Sequence, residues 1–311
     1  MATFAAKSKL FAIVPAVFVV LWATGFVVSK LSAGHVGPLW FLSLRFPIAA
    51  LFMLGVAFQQ RAAWPDAKHA LHAMLAGAFL HGLYLGPIYW AVAEGLPAGV
   101  SALIVGLQPL LTAFMAALIL GEVINHKHWL GLLVGLLGIG LVVWPKLIFT
   151  QVGGITPLTA SCALFGAVAI SFGTVYQKRF ATGLHLATGG FWQYIGASFV
   201  VLLGAIALGD FQFDYSWQAW SALAWAVLVL SIGAITLLMI LIREGEVSRV
   251  SGLIFLVPAV AALMTYVMFD EQLLVIQIIG MAVCAAAVLI VNRSAPAKIK
   301  TSQQTHDGHK L

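Results

Sequence analysis

Residues 95–122 read GLPAGVSALIVGLQPLLTAFMAALILGE, and residues 244–271 read EGEVSRVSGLIFLVPAVAALMTYVMFDE. The second stretch matches the first at a constant offset of 149 positions, without a gap. Leucine, alanine and valine coincide often by chance in such apolar sequence, whereas proline and glutamate are uncommon here. The matching pairs over Glu94–Val134 and Arg243–Val283 include Leu107 with Leu256, Pro109 with Pro258, Ala113 with Ala262, Met115 with Met264, Glu122 with Glu271, Gly131 with Gly280, and Val134 with Val283.

The matched residue types have local structural roles. Pro109 and Pro258 each remove a backbone donor inside an apolar run, so we expect a bend in both helices. Gly131 and Gly280 would let another helix approach closely. The paired glutamates end the apolar runs at the water interface. This agreement predicts an internal duplication, and an internal repeat constrains the fold more than any other sequence feature.

The composition is that of an integral membrane protein. Of 311 residues, 62% are hydrophobic and only 8% are charged, and the mean hydropathy is +1.04. A soluble domain has roughly a quarter of its residues charged. The formal charge of +6 therefore indicates orientation in a bilayer rather than a nucleic-acid partner. We expect Cys162 and Cys284, both inside apolar runs, to be buried small hydrophobes rather than a disulfide or metal site.

The apolar runs are long enough to cross a bilayer, because a spanning helix needs about 20 mostly apolar residues. They end where charges, proline and glycine cluster. The first run exceeds the ~7–15 residues of a secretory signal's apolar core, so we expect it to be retained. Residues 294–311 should form a polar cytoplasmic tail. The ten predicted spans are 10–31, 38–58, 70–92, 98–119, 128–145, 156–177, 188–209, 218–242, 250–269 and 273–292.

The basic residues predict that both termini are cytoplasmic, in a multi-pass protein of the cell inner membrane. With the N-terminus inside, only Lys30 and Lys146 fall outside, and Arg45 lies within a span. This asymmetry follows the positive-inside rule. The basic residues that fall inside are Lys7, Lys9, Arg61, Lys68, Lys127, Lys178, Arg179, Arg243, Arg249, Arg293, Lys298, Lys300 and Lys310.

Five spans fall in each copy, an odd number, so the second copy must enter the membrane from the opposite side. We therefore predict an all-α membrane protein of ten transmembrane helices, arranged as two inverted five-helix repeats at 10–145 and 156–292. Inverted repeats are typical of alternating-access transporters, with the substrate site near the midplane between the copies.

Three stretches resemble the EamA repeat of the drug/metabolite transporter superfamily: LWATGFVVSK (21–30), GPLWFLSLRFPIAALFMLG (37–55), and the fourth-span motif ending in proline and glutamate. The resemblance extends over about residues 10–292. It implies ten helices in two inverted repeats and export of small metabolites such as amino acids. Its nearest branch is the YddG-type amino-acid exporters. The sequence departs from the family pattern at the charged start of the ninth span, with Glu244, Glu246 and Arg249.

Several polar and aromatic residues are candidates for a substrate site. Arg45 would either bind a substrate carboxylate or have a structural role, with its head at the outer interface or on backbone carbonyls. His81 is ionisable at mid-span, which indicates function, although a neutral histidine bonded to a neighbouring helix is the alternative. We take Arg45, Pro109 and Pro258 as structural or gating residues. The predicted substrate-binding residues are Trp22, His81, Tyr84, Ser101, Gln108, Ser171, Thr174 and Trp192.

The helical spacing of the polar residues in the fourth span supports Ser101 and Gln108 as site residues. Ser101, Gln108 and Thr112 form one helical stripe, which should face protein or a wet cavity rather than lipid. The alternative is that these polar groups only bond helices together. Candidates for aromatic walls are Trp22, Trp90, Trp192 and Tyr194, of which Trp22 and Trp192 are preferred. Most other tryptophans lie at span ends as interface belts.

Motifs for other chemistry are absent from the sequence. It contains no GxxxxGK[ST] and no HExxH, so we expect no ATP, no cofactor and no metal. The predicted protein is a monomeric secondary transporter of a small molecule, with His81 as the one obvious proton carrier. A broad-specificity drug or nucleotide-sugar carrier is the alternative, and an intramembrane enzyme is a remote one.

Overall fold

The computed structural model describes residues 2–25, 28, 32, 34–96, 98–149, 156–244, 250, 252–269 and 274–293. These residues form ten helical segments, and among them only an isolated bridge between Val36 and Phe213 is extended. The predicted tail at 294–311, Glu246, Arg249 and Glu271 lie outside the described residues. The segments are α1 (Ala2–Ala23), α2 (Pro38–Gln59), α3 (Ala67–Gly77, Ala78–Gly82 and Leu83–Ala93), α4 (Ala98–Val105 and Gln108–Leu120), α5 (His126–Phe149), α6 (Pro157–Phe180), α7 (Leu186–Leu208), α8 (Trp217–Trp225, Ala226–Ala234 and Ile235–Glu244), α9 (Leu253–Phe255 and Leu256–Phe269) and α10 (Val275–Arg293).

The prediction of an all-α membrane protein is confirmed. Six of the segments, namely α2, α3, α5, α6, α7 and α8, contain stretches long and apolar enough to cross a bilayer. The apolar parts described for α1, α4, α9 and α10 are shorter. Most predicted span ends agree with the structure within a few residues, but α1 begins at Ala2 and α5 continues to Phe149.

Polar side chains and glycines fix where several helices begin and end. Asp66 Oδ1 accepts the backbone N–H of His69 at 2.8 Å at the start of α3. Thr156 and Ser216 cap the starts of α6 and α8 in the same way. These caps satisfy N–H groups that have no partner within the helix. Gly209 ends α7 with a φ of 65°, a left-handed conformation that glycine adopts without steric cost.

Two kinds of helical irregularity recur at equivalent positions of the two halves. π-Helical turns occupy Ala78–Gly82 in α3 and Ala226–Ala234 in α8. A turn at Gly106 and Leu107 interrupts α4, and the 3₁₀ turn Leu253–Phe255 begins α9. Adding 149 to the residue numbers places the first π-helical turn within the second. The same shift places the interruption of α4 at the end of the 3₁₀ turn of α9. Insertions of this kind often mark functional sites.

Close packing of α5 against α10 shows how the halves are related. A Cβ added at Gly131 would lie 2.8 Å from Val291 Cγ2, and one at Gly280 would lie 2.7 Å from the Val142 backbone nitrogen. Between these contacts, a Cβ at Gly138 would meet Cys284 Sγ at 2.7 Å. Rising numbers on α5 therefore face falling numbers on α10, so the two helices are antiparallel.

The 149-residue offset exchanges these contacts with each other. Adding 149 to the number of Gly131 gives Gly280, and adding it to the number of Val142 gives Val291. The contact of Gly131 with Val291 is therefore equivalent to the contact of Gly280 with Val142. Equivalent helices that lie antiparallel are related by an axis perpendicular to their own axes, which for spanning helices lies in the membrane plane. The wider packing follows the same exchange, because α1 contacts α8 and α9 just as α6 contacts α3 and α4. The chain is thus two inverted five-helix repeats.

Candidate functional site

A cavity of about 580 Å³ lies between the two repeats. Its wall is built by α1, α2, α3, α4 and Ile139 of α5 from the first repeat and by α8 and α9 of the second. Cavities of about 300–1,000 Å³ accommodate small organic ligands. The loop residues 34–38 and 210–212 line one end of the cavity, which we call its mouth, and Gln108, Ile254 and Pro258 also belong to the lining.

One helical stripe of α3 supplies much of the wall. The stripe repeats every three or four residues, so its members share a face of the helix. Phe41 of α2 lies opposite and stacks on Tyr89, with ring centroids 6.3 Å apart. Trp22 of α1 adds a further ring. The cavity wall therefore combines aromatic rings with aliphatic side chains. The stripe consists of His81, Tyr84, Leu85, Ile88, Tyr89 and Val92.

Arg45 is the one lysine or arginine among the described residues that line the cavity. Its side chain is 4% exposed, and its Nε donates a hydrogen bond to Ser231 Oγ over 2.8 Å. Ser231 belongs to the π-helical turn of α8, and its carbonyl oxygen accepts a hydrogen bond from the Tyr194 hydroxyl. Arg45 thus joins the first repeat to the second.

No carboxylate of the described residues forms an ion pair with Arg45. Its polar neighbours are the phenol groups of Tyr84, Tyr89 and Tyr194, and its guanidinium lies 5.5 Å from the centre of the Phe46 ring. A charge that is buried without an opposite charge costs several kcal/mol. Arg45 is therefore a buried positive charge without an ion-pair partner among the described residues.

His81 lies beside this arginine, in the π-helical turn of α3. It is 2% exposed and stacks on Tyr194 with ring centroids 5.3 Å apart. Its Nε2 atom is buried and has no hydrogen-bond partner among the described residues. An unsatisfied buried polar atom costs about 1–3 kcal/mol. Gln193 hydrogen-bonds the His81 side chain, so Nε2 is the one unsatisfied ring nitrogen of His81 among the described residues.

The polar stripe predicted on α4 reaches the cavity in part. Ser101 and Gln108 line it, and both are buried. Thr112 is fully buried and does not line it. Gln108 begins the second piece of α4, directly after the interruption. Its backbone carbonyl accepts a hydrogen bond from Ser171 Oγ of α6 at 3.3 Å, which fixes the position of the break.

The mouth is framed by two connecting loops that bond to each other. The Gly37 N–H donates to the Gln212 carbonyl at 2.9 Å. His35 Nδ1 and Asp214 Oδ2 are 2.5 Å apart. Hydrogen bonds from Ser216, with a further contribution from His35, lower the pKa of Asp214 from its ordinary value near 3.8 to about 2. The loop carboxylate is therefore charged except in strong acid.

The opposite end, where α1 begins and α10 ends, is closed by contacts between helix ends. Arg179 of α6 donates to the carbonyl oxygen of Ile119 in the last turn of α4. Thr188 Oγ1 of α7 donates to the carbonyl of Ala63 at 3.1 Å. The lining thus includes the loops at residues 34–38 and 210–212, whereas it includes none of the residues that make these contacts at the opposite end.

Comparison with known proteins identifies the family. The sequence profile of the EamA-like transporter family matches residues 9–144 and again residues 158–293. The chain belongs to this family. A chain in a solved crystal structure has the same fold, with a TM-score of 0.69 and 20% identity, covering 90% of this chain and 96% of that one.

Relatives of this EamA-family protein are named as transporters. The uncharacterized inner membrane transporter YedA of Escherichia coli K12 is 25% identical over 88% of this chain and 87% of its own length. A probable terminal-alkyne amino-acid exporter of Streptantibioticus cattleyicolor is 25% identical over 88% of this chain and 91% of its own length. The protein is therefore a membrane transporter of the drug/metabolite kind.

Within this EamA fold, some predicted site residues lie away from the cavity. Ser171 and Thr174 bond to the backbone of their own helix, at Ala167 and Ile170, both over 2.7 Å. Thr174 instead faces a small gap of about 10 Å³ beside Trp22 and Gln108. The cavity wall near these two residues belongs to α3 and α4, which cover the inner face of α6.

Trp192 and Pro109 also lie outside the cavity wall. Trp192 packs against Phe191, with ring centroids 5.1 Å apart. Pro109 is buried behind Gln108, whereas its counterpart Pro258 lines the cavity. The predicted residues that the structure brings together around the cavity are Trp22, Arg45, His81, Tyr84, Ser101, Gln108 and Pro258.

Sequence reasoning missed several residues of the site. Phe41 and Tyr89 line the cavity, and Ser231 accepts a hydrogen bond from Arg45. Extending the His81 and Tyr84 pair by helical periodicity would have found most of the α3 stripe. Nothing in the sequence indicated Ser231, since its role depends on the packing of α2 against α8.

Proposed function

We propose that the protein exports or exchanges amino acids, chiefly those with aromatic or other large apolar side chains, by alternating access. It would work as a monomer in the cell inner membrane, with both termini in the cytoplasm and without ATP, cofactor or metal. The observation that carries the proposal is the cavity between the inverted repeats, which combines aromatic rings with one buried cation, hydrogen-bonding groups and, beside the loops, the carboxylate of Asp210.

The chemistry of the wall supports this substrate class. Trp22, Phe41, Tyr84 and Tyr89 offer ring surface to an apolar side chain, and such contact is favourable at about 25 cal/mol per Å² of buried apolar area. Polar groups concentrated at one place would bind the end that amino acids share. The name of the Streptantibioticus cattleyicolor relative, a probable amino-acid exporter, agrees with this substrate class.

The closed and open ends support the transport mechanism. The cavity reaches the loops at one end, while hydrogen bonds between helix ends close the other. In alternating access, the inverted repeats exchange these two arrangements around a fixed site. With both termini in the cytoplasm, the present structure would be open to the outside.

A nucleotide-sugar carrier is less well supported by the same wall. A diphosphate carries two or more negative charges, and such groups are bound by clusters of arginine and lysine. The described cavity lining contains Arg45 and no second lysine or arginine. A broad drug carrier would need a wider and less aromatic cavity.

Counterflow into proteoliposomes tests the proposal. Vesicles preloaded with one unlabelled amino acid should accumulate the labelled one, with phenylalanine, leucine and glycine as the panel and protein-free vesicles as the control. A cationic drug and a nucleotide sugar are tested in parallel. We expect counterflow of phenylalanine and leucine above that of glycine. Counterflow of the drug or nucleotide sugar alone would contradict the proposed substrate class.

A further inference from the structure

We infer that Arg45 binds the carboxylate of the transported molecule, so that the cavity selects carboxylic acids over the corresponding amines. The inference rests on the proposed function and names the polar subsite within that cavity. It departs from the sequence-based interpretation of Arg45 as a structural or gating residue.

The hydrogen bonds of Arg45 leave most of its binding capacity free for a ligand. A guanidinium carries five N–H donors in a planar fork, which matches the two oxygens of a carboxylate. Nε is used by Ser231 Oγ, on the side where α2 meets α8, and the guanidinium also donates a hydrogen bond to the Tyr89 hydroxyl. Both acceptors are neutral, so neither supplies an opposite charge. The rest of the group lines the cavity.

No described protein group neutralises the arginine from within the cavity. Asp210 also lines the cavity, but its Oδ2 accepts the Leu39 N–H over 2.7 Å at the start of α2. Leu39 and Arg45 are six residues apart on one helix, which places them about 9 Å apart along its axis. The carboxylate of Asp210 is thus committed to a helix end, away from the guanidinium.

His81 provides a second, independent indication of a ligand. Its ring is 2% exposed, it lines the same cavity, and its Nε2 has no partner among the described residues. The ring stacks between Phe46 and Tyr194, at centroid distances of 6.0 and 5.3 Å, and these contacts fix its plane. In the tautomer with hydrogen on Nε2, it would donate to a carboxylate oxygen beside Arg45.

The rest of the cavity suits the remainder of such a ligand. A carboxylate held by Arg45 leaves the attached side chain to lie along Phe41, Tyr89 and Trp22, where the wall is apolar. An ammonium group would lie close to the ring faces, which attract cations. The carboxylate is therefore the group of an amino acid that suits the buried arginine, whereas Asp210, the charged residue near the loops, is bonded to the start of α2.

Matched ligands test the inference in counterflow of labelled phenylalanine. The competitors are 3-phenylpropionate, which lacks the ammonium, and phenethylamine, which lacks the carboxylate. We expect phenylpropionate to compete and phenethylamine to compete at least about tenfold less well, since a charge-assisted pair is lost. Equal competition by both compounds would overturn the inference.

Variants of Arg45 provide a second measurement. Arg45→Gln should lose competition by phenylpropionate, and Arg45→Lys should regain part of it, because the charge returns without the fork. Arg61→Gln, which removes an exposed arginine from a loop, is the matched control and should behave as wild type. Binding to each purified variant is measured as the rise in melting temperature that the ligand causes. An Arg45→Gln protein that folds and keeps this rise with phenylpropionate would overturn the inference.

The outcomes separate this inference from the proposed function. If wild-type protein shows no counterflow of any amino acid, the proposed function is wrong, and the inference is wrong with it. If phenylalanine is transported and phenethylamine competes as well as phenylpropionate, the function stands and only the role of Arg45 is wrong. If Arg45→Gln does not fold, the competition of phenylpropionate and phenethylamine on wild-type protein decides whether Arg45 binds the carboxylate.

Discussion

Lys178 Nζ donates a hydrogen bond of 2.9 Å to the carbonyl oxygen of Ile242, and a second one of 2.9 Å to that of Arg243. The lysine lies in the last turn of α6, and both acceptors lie in the last turn of α8. The last carbonyls of a helix have no partner within it and carry partial negative charge, so a cation stabilises them. Arg179, the next residue, reaches the end of α4 in the same way.

Consecutive cations of α6 therefore hold α4 and α8 together where the cavity is closed. We expect Lys178→Met to favour opening at this end, since each lost hydrogen bond contributes about 1 kcal/mol. Losing both hydrogen bonds, about 2 kcal/mol, should raise the population of molecules open at this end by about thirtyfold. The measurement is the thiol-labelling rate of a cysteine placed at Gln177, which is 3% exposed while this end is closed.

Two controls accompany the labelling experiment. Cys162 and Cys284 are replaced beforehand, so that only the introduced thiol reacts. Lys68→Met removes an exposed lysine from the same end of the molecule and should leave the rate unchanged. If Lys178→Met and Lys68→Met label at the same rate, the lysine does not hold this end closed.

Gly280 should tolerate no side chain. A Cβ there would lie 2.7 Å from the Val142 nitrogen and 2.9 Å from the Gly138 oxygen, and backbone atoms cannot move aside cheaply. Gly280→Ala should destabilise the protein by about 1–3 kcal/mol through overpacking. Gly140→Ala, on the partner helix with open space around it, should stabilise by up to about 1 kcal/mol. Thermal unfolding in detergent checks both signs, and a Gly280→Ala protein as stable as wild type would contradict the packing.

Much of this fold was predictable because membranes impose simple rules. Apolar length gave the helices, and the repeated Pro109 and Pro258 gave the duplication. An odd number of spans per copy gave the inversion. Local irregularities were less accessible. The π-helical turns at 78–82 and 226–234 leave no composition signal, because they depend on packing between helices.

The site was predictable only in part, for a physical reason. Periodicity places His81 and Tyr84 on one face of α3, but it does not say which neighbouring helix covers a face. Ser171 and Thr174 were expected in the site from the repeat's symmetry, yet α3 and α4 separate them from the cavity. Equivalent helices of the two repeats carry different side chains. The backbone symmetry therefore does not predict which side chains line the cavity.

The loop pair at the mouth predicts a pH dependence of stability. The pKa of Asp214 is lowered in the folded protein to about 2, from about 3.8. A group with a depressed folded pKa stabilises the protein above its unfolded pKa, and the effect is lost as pH falls through the folded one. Asp214→Asn should therefore melt below wild type at pH 6, and the difference should vanish between pH 4 and pH 2. A constant difference across this range would exclude Asp214 as its source.

The two prolines are expected to act as hinges. Pro109 and Pro258 each follow an interruption of their helix by a few residues, and proline removes a ladder hydrogen bond there. Alanine would restore the helix and stiffen it. Each single Pro→Ala variant should slow counterflow several-fold while the folded yield changes little. Transport at the wild-type rate in both variants would mean that the prolines are only tolerated.

Substrate selection should separate the aromatic residues of the cavity from its shared polar groups. Trp22 and Tyr84 offer ring surface to a substrate side chain. Trp22→Ala and Tyr84→Ala should therefore weaken the binding of phenylalanine by about 1.5–3 kcal/mol and the binding of alanine far less. Gln108 can hydrogen-bond the polar end that all amino acids share, so Gln108→Ala should weaken the binding of phenylalanine and of alanine by about 1 kcal/mol each. Counterflow half-saturation for the two substrates gives these values.

The matched control for the ring variants is Trp217→Ala, which removes a tryptophan that is 70% exposed at the start of α8. It should leave both half-saturation values unchanged, because its ring lies outside the cavity. The decisive quantity is the ratio of the phenylalanine loss to the alanine loss, since a general folding defect changes both together. A ratio near one for Trp22→Ala and Tyr84→Ala would mean that these rings hold helices together, and that the side-chain pocket lies elsewhere in the cavity.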